Sequence, residues 1–211
     1  MLQTHSAILP ATDWRRLLEN AYRGRALQPY SSGQPIPMGS SDVLIVCRGV
    51  VQLSTLSPNG DEAMLGLVLP SMPFGLPFTH LRPYSATALV DVDVMRLNWV
   101  EIEQSPFLAQ GLFRQLGRRL QQTEAILAMA GQRRIEDRLR QLLLLLAQEM
   151  GQSQHEGMRI TVRLTHQQLA NMIGTTRVTI TRLIGQLRDE GWLSIDRQRH
   201  LVVNSTASQP I

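Results

Sequence analysis

The stretch from Leu164 to Leu187, LTHQQLANMIGTTRVTITRLIGQL, holds two short helical patterns on either side of one glycine. Leu169, Met172 and Ile173 fall at helical spacing, with Thr165 placed to cap their helix and Gly174 placed to end it. Thr175 or Thr176 can cap the second helix. Its Ile180, Leu183, Ile184 and Leu187 follow the i, i+3, i+4, i+7 pattern of one buried face. That stripe leaves Arg177, Val178, Thr181, Arg182 and Gly185 on the opposite side. A short helix packed on one side, with two arginines, a threonine and a valine on the other, suits the major groove of DNA. A guanidinium pairs with guanine O6 and N7, and the apolar carbons of Thr or Val lie against a thymine methyl. Taken alone, the same pattern also describes a helix with a solvated charged face. The next residues of the chain weigh against that: Gly191-Trp192-Leu193-Ser194-Ile195, a polar DRQRH tip and Leu201-Val202-Val203 read as the hairpin of a winged helix.

Charge is distributed unevenly. All 21 basic residues are arginine; 14 of them stand against 8 acids from Arg114 onward, and 7 against 9 before it. A positive C-terminal half is what phosphate binding requires. The longest apolar run, Leu142 to Leu146, falls far short of the ~20 residues that span a bilayer, so no membrane partner is expected. The N-terminus has no basic start followed by an apolar core, and no signal peptide is expected. A single cysteine, Cys47, excludes an intramolecular disulfide and a multi-cysteine zinc or iron–sulfur site within one chain. The single cysteine fits a reducing cytoplasm.

Along the chain, the first 26 residues carry a short helical pattern (Trp14, Leu17, Leu18, Ala21). From Leu27 to Trp99, Pro, Gly and Ser punctuate β-branched runs at 43–46, 50–53, 64–69, 86–90 and 92–97, and Asn59-Gly60 reads as a hairpin turn. Short strands at this spacing predict a small antiparallel barrel or sandwich. From Pro106 the period becomes helical, and Leu112, Leu116, Leu120, Thr123, Leu127 and Ala130 form a seam for a two-stranded coiled coil. A helix packed on its own domain is the alternative. Gly131-Gln132 marks a hinge. A second helix over 134–150 has its apolar face at Ile135, Leu139, Leu142, Leu143 and Leu146. Residues 151–158 read as a polar loop, 159–164 as a short strand and 205–211 as a frayed tail. The fold class is α+β.

The run Thr176-Arg177-Val178-Thr179-Ile180-Thr181-Arg182-Leu183, with the hairpin after it, resembles the DNA-binding domain of the CRP/FNR superfamily of bacterial transcription regulators. It is most similar to the cyanobacterial global nitrogen regulators within that superfamily. The resemblance is strong over 134–204 and continues back to about Leu27. It implies a β-roll (cyclic-nucleotide-binding-like) sensor domain over 1–105, a dimerisation helix over 106–131 and a winged helix-turn-helix over 132–211. It also implies a homodimer on palindromic double-stranded DNA, with RNA polymerase as a partner. Position by position, Arg177 and Arg182 match the groove-reading arginines. Val178 stands where the cyclic-AMP receptor protein has a glutamate. Valine cannot accept from a cytosine amine and favours a thymine methyl, which predicts half-sites of the GTA type. Thr165, His166 and Gln167 match phosphate contacts at the first helix, and Thr176 and Thr181 flank the reading face. Arg188, Arg197 and Arg199 suit phosphates by charge alone.

For the effector, the resemblance offers less. In cyclic-nucleotide members an FGE segment and an Arg-Ser pair hold ribose and phosphate; the corresponding stretches here are Phe74-Gly75-Leu76 and Arg82-Pro83-Tyr84. Without the glutamate a ribose hydroxyl loses its acceptor, and proline removes a hydroxyl and an N–H, so cyclic AMP is disfavoured. The nitrogen regulators hold 2-oxoglutarate with an arginine and a glutamate of the central helix. Arg119 and Glu124 match these, with Thr123 beside the glutamate, and Arg82 resembles their roll arginine. An arginine pair clamps a dicarboxylate well. Arg119 and Glu124 also fit a solvated or inter-subunit pair, and a different ligand or none remains open. No enzyme is expected: the five histidines lack metal spacing, and no phosphate loop or nucleophile motif occurs.

Overall fold

The computed structural model of the chain describes residues 18, 25–58, 60 and 62–204. The N-terminal helical pattern, apart from Leu18, lies outside the described residues, as do Asn59 and the 205–211 tail. Two antiparallel sheets form the N-terminal half. One has the order β1-β7-β2-β5, built from Gln28–Tyr30 (β1), Val92–Asn98 (β7), Asp42–Arg48 (β2) and Pro73–Phe74 (β5). The other has the order β4-β3-β6, built from Glu62–Val68 (β4), Val51–Leu56 (β3) and Ser85–Ala88 (β6). Five of these strands fall on the runs expected from sequence. The short β1 and β5 were not foreseen, because three and two residues are too few for a period to register.

Alternation along β2 divides the core. Leu44 and Val46 enter the main cluster inside the roll, whereas Val43 and Ile45 enter a second cluster on the outer face of the same sheet. Met95 and Leu97 of β7 join the second cluster, together with Ile102 from a six-residue helix α1, Trp99–Gln104. Asn98 and Glu101 close a reciprocal capping box on α1.

The long helix α2, Pro106–Ala130, begins at Ser105, whose side chain accepts from the Leu108 N–H. Leu112 is 5% exposed and belongs to the second cluster, while the adjacent Phe113 is 77% exposed. This corrects the expected seam at its first position. Outward on α2 stand Phe113, Leu120, Thr123, Leu127 and Ala130, while Leu116 is half-buried against the second cluster, because the roll takes Leu112 and part of Leu116 for its own packing. α2 ends at Ala130 with Gly131 as its C-cap, and the chain turns into α3, Ile135–Met150. Leu139, Leu142, Leu143 and Leu146 are all fully buried.

Residues 151–158 are not a loop. Gly151–Gln154 (β8) pairs with Gly157–Ile160 (β9), so the strand expected over 159–164 ends at Ile160. β8 is an exposed edge strand with little apolar content, which is why composition concealed it. Gly157 has φ 156°, and a Cβ there would come within 2.1 Å of the Val203 carbonyl oxygen. β9 and β8 extend the wing hairpin of Leu193–Ile195 (β10) and Leu201–Asn204 (β11) into one sheet of order β10-β11-β9-β8. The two remaining helices are α4, His166–Ile173, and α5, Arg177–Asp189. Leu169, Ala170, Met172 and Ile173 of α4 join the same cluster as Met64, Leu67 and Val68 of β4, so the main core runs unbroken from roll to C-terminal region. No helix among the described residues is long and apolar enough to cross a membrane.

Candidate nucleic-acid interface

Local chemistry sets the angle between α4 and α5. Thr165 accepts from the Gln168 N–H through its hydroxyl, and Gln168 Oε1 accepts from the Thr165 N–H at 2.8 Å, forming a capping box. The other end of the same glutamine donates to the Leu89 carbonyl of the roll at 3.2 Å. α4 stops at Gly174, which sits in the left-handed region at φ 69° where a Cβ is disfavoured. Thr176 then caps α5 by accepting from the Thr179 N–H. Ile180, Leu183, Ile184 and Leu187 are at most 3% exposed, so the buried stripe is the one expected. Burying each such side chain stabilises the fold by about 1.5–3 kcal/mol.

Arg177, Val178, Thr181 and Arg182 project to solvent, with Val178 79% exposed. Thr181 donates its hydroxyl proton to the Arg177 carbonyl at 2.9 Å, so His166 Nδ1 is the donor in its 2.8 Å contact with Thr181 Oγ1. The hydroxyl is thereby held within the protein. His166 and Thr181, separate in sequence, become one contact between the two helices. Gln167 donates to Asn171 at 2.7 Å along the outer side of α4. Arg188 is exposed in the last turn of α5.

The arginines sort into two groups. Arg140 pairs with Glu136 at 3.0 Å and with Glu190, and lies 5.1 Å from the Trp192 ring centroid. Burial opposes its charge, but the hydrogen bonds to Glu190 and Glu136 outweigh this and raise its pKa. Arg159 pairs with Asp196 at 2.7 Å at the base of the wing tip. Burial pushes the Asp196 carboxyl up; hydrogen bonds from the His200 N–H, Arg159 and the Gln198 N–H overcome it and bring the pKa to about 2. These two arginines hold the frame. Arg177, Arg182, Arg188, Arg197 and Arg199 form no ion pair among the described residues. A hollow of about 330 Å³ beside Arg182 is bordered by Arg134 at the start of α3. Arg134 was not singled out from sequence, since only the packing of α3 on α5 brings it there.

The residues expected to hold an effector are not all together. Phe74 is fully buried in the roll core, and Gly75 passes so close to the Asp42 carbonyl that a Cβ would lie 2.5 Å from it. Leu76 opens a short 3-10 turn, Leu76–Phe78. Arg82 is exposed, with its guanidinium on the Leu81 carbonyl at 2.8 Å. Arg119 turns inward and donates to the Pro73 carbonyl at 3.4 Å. Thr123 donates to the Arg119 carbonyl at 2.9 Å and is exposed, as is Glu124. Five residues along a helix is about 140° of rotation, so Arg119 and Glu124 of one chain occupy different faces. The neighbour of Arg119 is Tyr84, whose phenol pKa is raised by burial against the opposing effect of Arg119. Tyr84, Gln115 and Gln122 complete the inward polar set. Glutamines on an amphipathic helix look solvated in a sequence, and nothing there marked them.

Residues 137–207 match the family model of the Crp-like helix-turn-helix domain. The global nitrogen regulator of Synechococcus elongatus is 30% identical over 200 residues, covering 90% of this chain and 87% of that protein. The regulatory protein CysR of the same organism is 34% identical over 171 residues, covering 80% and 79%. Among solved structures, a transcriptional regulator of the CRP family from Thermus thermophilus superposes with a TM-score of 0.69 at 21% identity, covering 86% of this chain and 93% of that one.

Proposed function

The chain belongs to the CRP/FNR family of transcription regulators, and we propose that it binds a palindromic DNA site as a homodimer, with one α5 helix in the major groove of each half-site. Its relatives are transcription regulators and not enzymes. One observation carries the reading. Arg177 and Arg182 stand on the solvent face of a helix whose other face is locked into the core, and no carboxylate pairs with either among the described residues. In this reading they take guanines, Val178 and the methyl of Thr181 take thymine methyls, and half-sites are of the GTA type. Thr165, His166, Gln167, Thr176, Arg188 and Arg134 position the phosphates. The two recognition helices then lie roughly 34 Å apart, one turn of B-DNA.

Dimerisation uses the stripe Phe113, Leu116, Leu120, Thr123, Leu127 and Ala130, which repeats at heptad spacing and leaves Phe113, Leu120 and Leu127 exposed in the single chain. Functionally the chain divides into a sensor over 1–105, a dimerisation helix over 106–131 and a reader over 132–211. The sensor is gated by a small carboxylate, the broad class to which 2-oxoglutarate belongs, supported by the inward Arg119. The test is a salt series of gel shifts on a GTA-type palindrome and on random duplex of equal length. Binding to the palindrome falls steeply with salt yet keeps its preference; equal binding to both duplexes overturns the reading. Phe113→Glu with Leu120→Glu yields monomers by sedimentation and loses the palindrome preference.

A further inference from the structure

A set of polar groups lies between the roll and α2, and recognition of DNA makes no use of it. The Leu67 N–H donates to Gln122 Oε1 at 2.7 Å, which fixes the amide orientation, because a reversed amide would set donor against donor. Gln122 is 3% exposed and its Nε2 has no hydrogen-bond partner. One turn earlier, the half-buried Arg119 has only neutral partners, the Pro73 carbonyl and the Tyr84 phenol, and no ion pair with a carboxylate among the described residues. A Cβ on Gly66 would lie 3.1 Å from Gln122 Oε1 and 3.9 Å from Arg119 Nη2, so both side chains converge on the space that glycine leaves. Another turn back, Gln115 is 9% exposed with Oε1 unpartnered. The cluster therefore offers unused donors at one end and an unused acceptor at the other. Buried polar groups without partners are unfavourable, and a ligand of matching polarity relieves them.

We propose that this cluster binds a small monocarboxylate bearing a hydrogen-bond donor at its far end. The carboxylate sits between Arg119 and Gln122 Nε2, and the donor meets Gln115 Oε1. The proposal rests on the reading of the roll as a sensor for small anions and narrows its chemistry. One guanidinium serves the cluster, because Arg82 is turned outward onto the Leu81 carbonyl. A second carboxylate would find no second cation among the described residues of the cluster. Gln115 and Gln122 are about 10.5 Å apart along the helix axis, the scale of a five-carbon acid with a hydrogen bond at each end.

Three five-carbon acids test this on the full chain: glutaramate (one carboxylate and an amide), pentanoate (one carboxylate and a methyl) and glutarate (two carboxylates). 2-Oxoglutarate serves as a fourth arm. Melting temperature and calorimetry give glutaramate the tightest binding, about tenfold tighter than glutarate, with pentanoate between them. Arg119→Met abolishes the ligand-induced shift. Gln122→Glu also abolishes it while keeping an oxygen for the Leu67 N–H, so its loss of binding is not a loss of fold. Tighter binding of glutarate or 2-oxoglutarate than of glutaramate overturns the monocarboxylate proposal and leaves the small-anion sensor standing. No shift with any of the four acids overturns both. Glutaramate binding that survives both substitutions places it elsewhere and overturns the site.

Discussion

The C-terminal reader and the N-terminal roll use their polar groups in opposite ways. In the reader, the inward arginines are satisfied: Arg140 by Glu136 and Glu190, Arg159 by Asp196. Arg177, Arg182, Arg188, Arg197 and Arg199, which form no ion pair among the described residues, are on the surface, where a polyanion can reach them, while the half-buried Arg138 is held by the Gln132 and Ile173 carbonyls. Between the roll and α2 the unused groups are inside: Gln115 Oε1, Gln122 Nε2 and an Arg119 with neutral partners. A macromolecule approaching from outside needs a rigid frame with charges facing outward. A small molecule enclosed by the fold needs unmet groups facing inward. In the proposed reading, the same residue types serve two functions according to which side of the packing they occupy. The two regions are joined by one continuous core and by Gln168, whose amide caps α4 with its oxygen and reaches the roll with its nitrogen. A hollow of about 170 Å³ between β4, the end of α2 and the C-terminus of α4 marks the same junction.

The contrast can be broken first in the reader's core. Leu187→Ala, at a fully buried position, lowers stability by about 2–5 kcal/mol in urea unfolding and abolishes DNA binding through loss of the frame. A loss below about 1 kcal/mol would mean that α5 is not held as described. Next is Arg182→Ala, which leaves the melting temperature unchanged and reduces palindrome preference by about 1–3 kcal/mol. A fall in stability with preference retained would make Arg182 a frame residue like Arg140. Third is the link itself. Gln168→Ala removes a cap partner and the bond to Leu89, and costs about 0.5–2 kcal/mol. Hydrogen exchange then rises at α4 and along the Leu89 segment together; a rise at α4 alone would show that the contact with the roll is dispensable.

The smallest effect is at the wing tip. The folded pKa of Asp196, about 2, lies below its ordinary value of 3.8. Its ionised form therefore stabilises the wing above the ordinary carboxylate range, and that contribution disappears as pH falls through about 4 toward 2. Asp196→Asn removes this pH dependence and leaves the wing equally loose at neutral pH, as amide exchange at 198–200 would report. An unchanged acid profile would show that Arg159 and the tip N–H groups do not depend on the carboxylate.

The reader was legible because its signals are local. A capping threonine, a glycine eight residues on from the helix start and an i, i+3, i+4, i+7 stripe are all read within 24 residues. On α2, Leu120 and Leu127 are exposed as the pattern implies, whereas the choice between Leu112 and Phe113 was not legible. Both are apolar and adjacent, and only the sheet that covers Leu112 decides between them. Arg82 matched by position yet points outward, and Gln122, which no sequence pattern marks, lies inside.

What the amino-acid order determined by itself was the pair of short helices, their buried and exposed faces and the strand texture before them, because period and capping involve neighbours a few positions apart. Which polar groups are enclosed together was decided by tertiary structure alone. The Leu67 N–H and Gln122 that define the inner cluster are 55 residues apart, and the chain meets itself there only when β4 packs against α2.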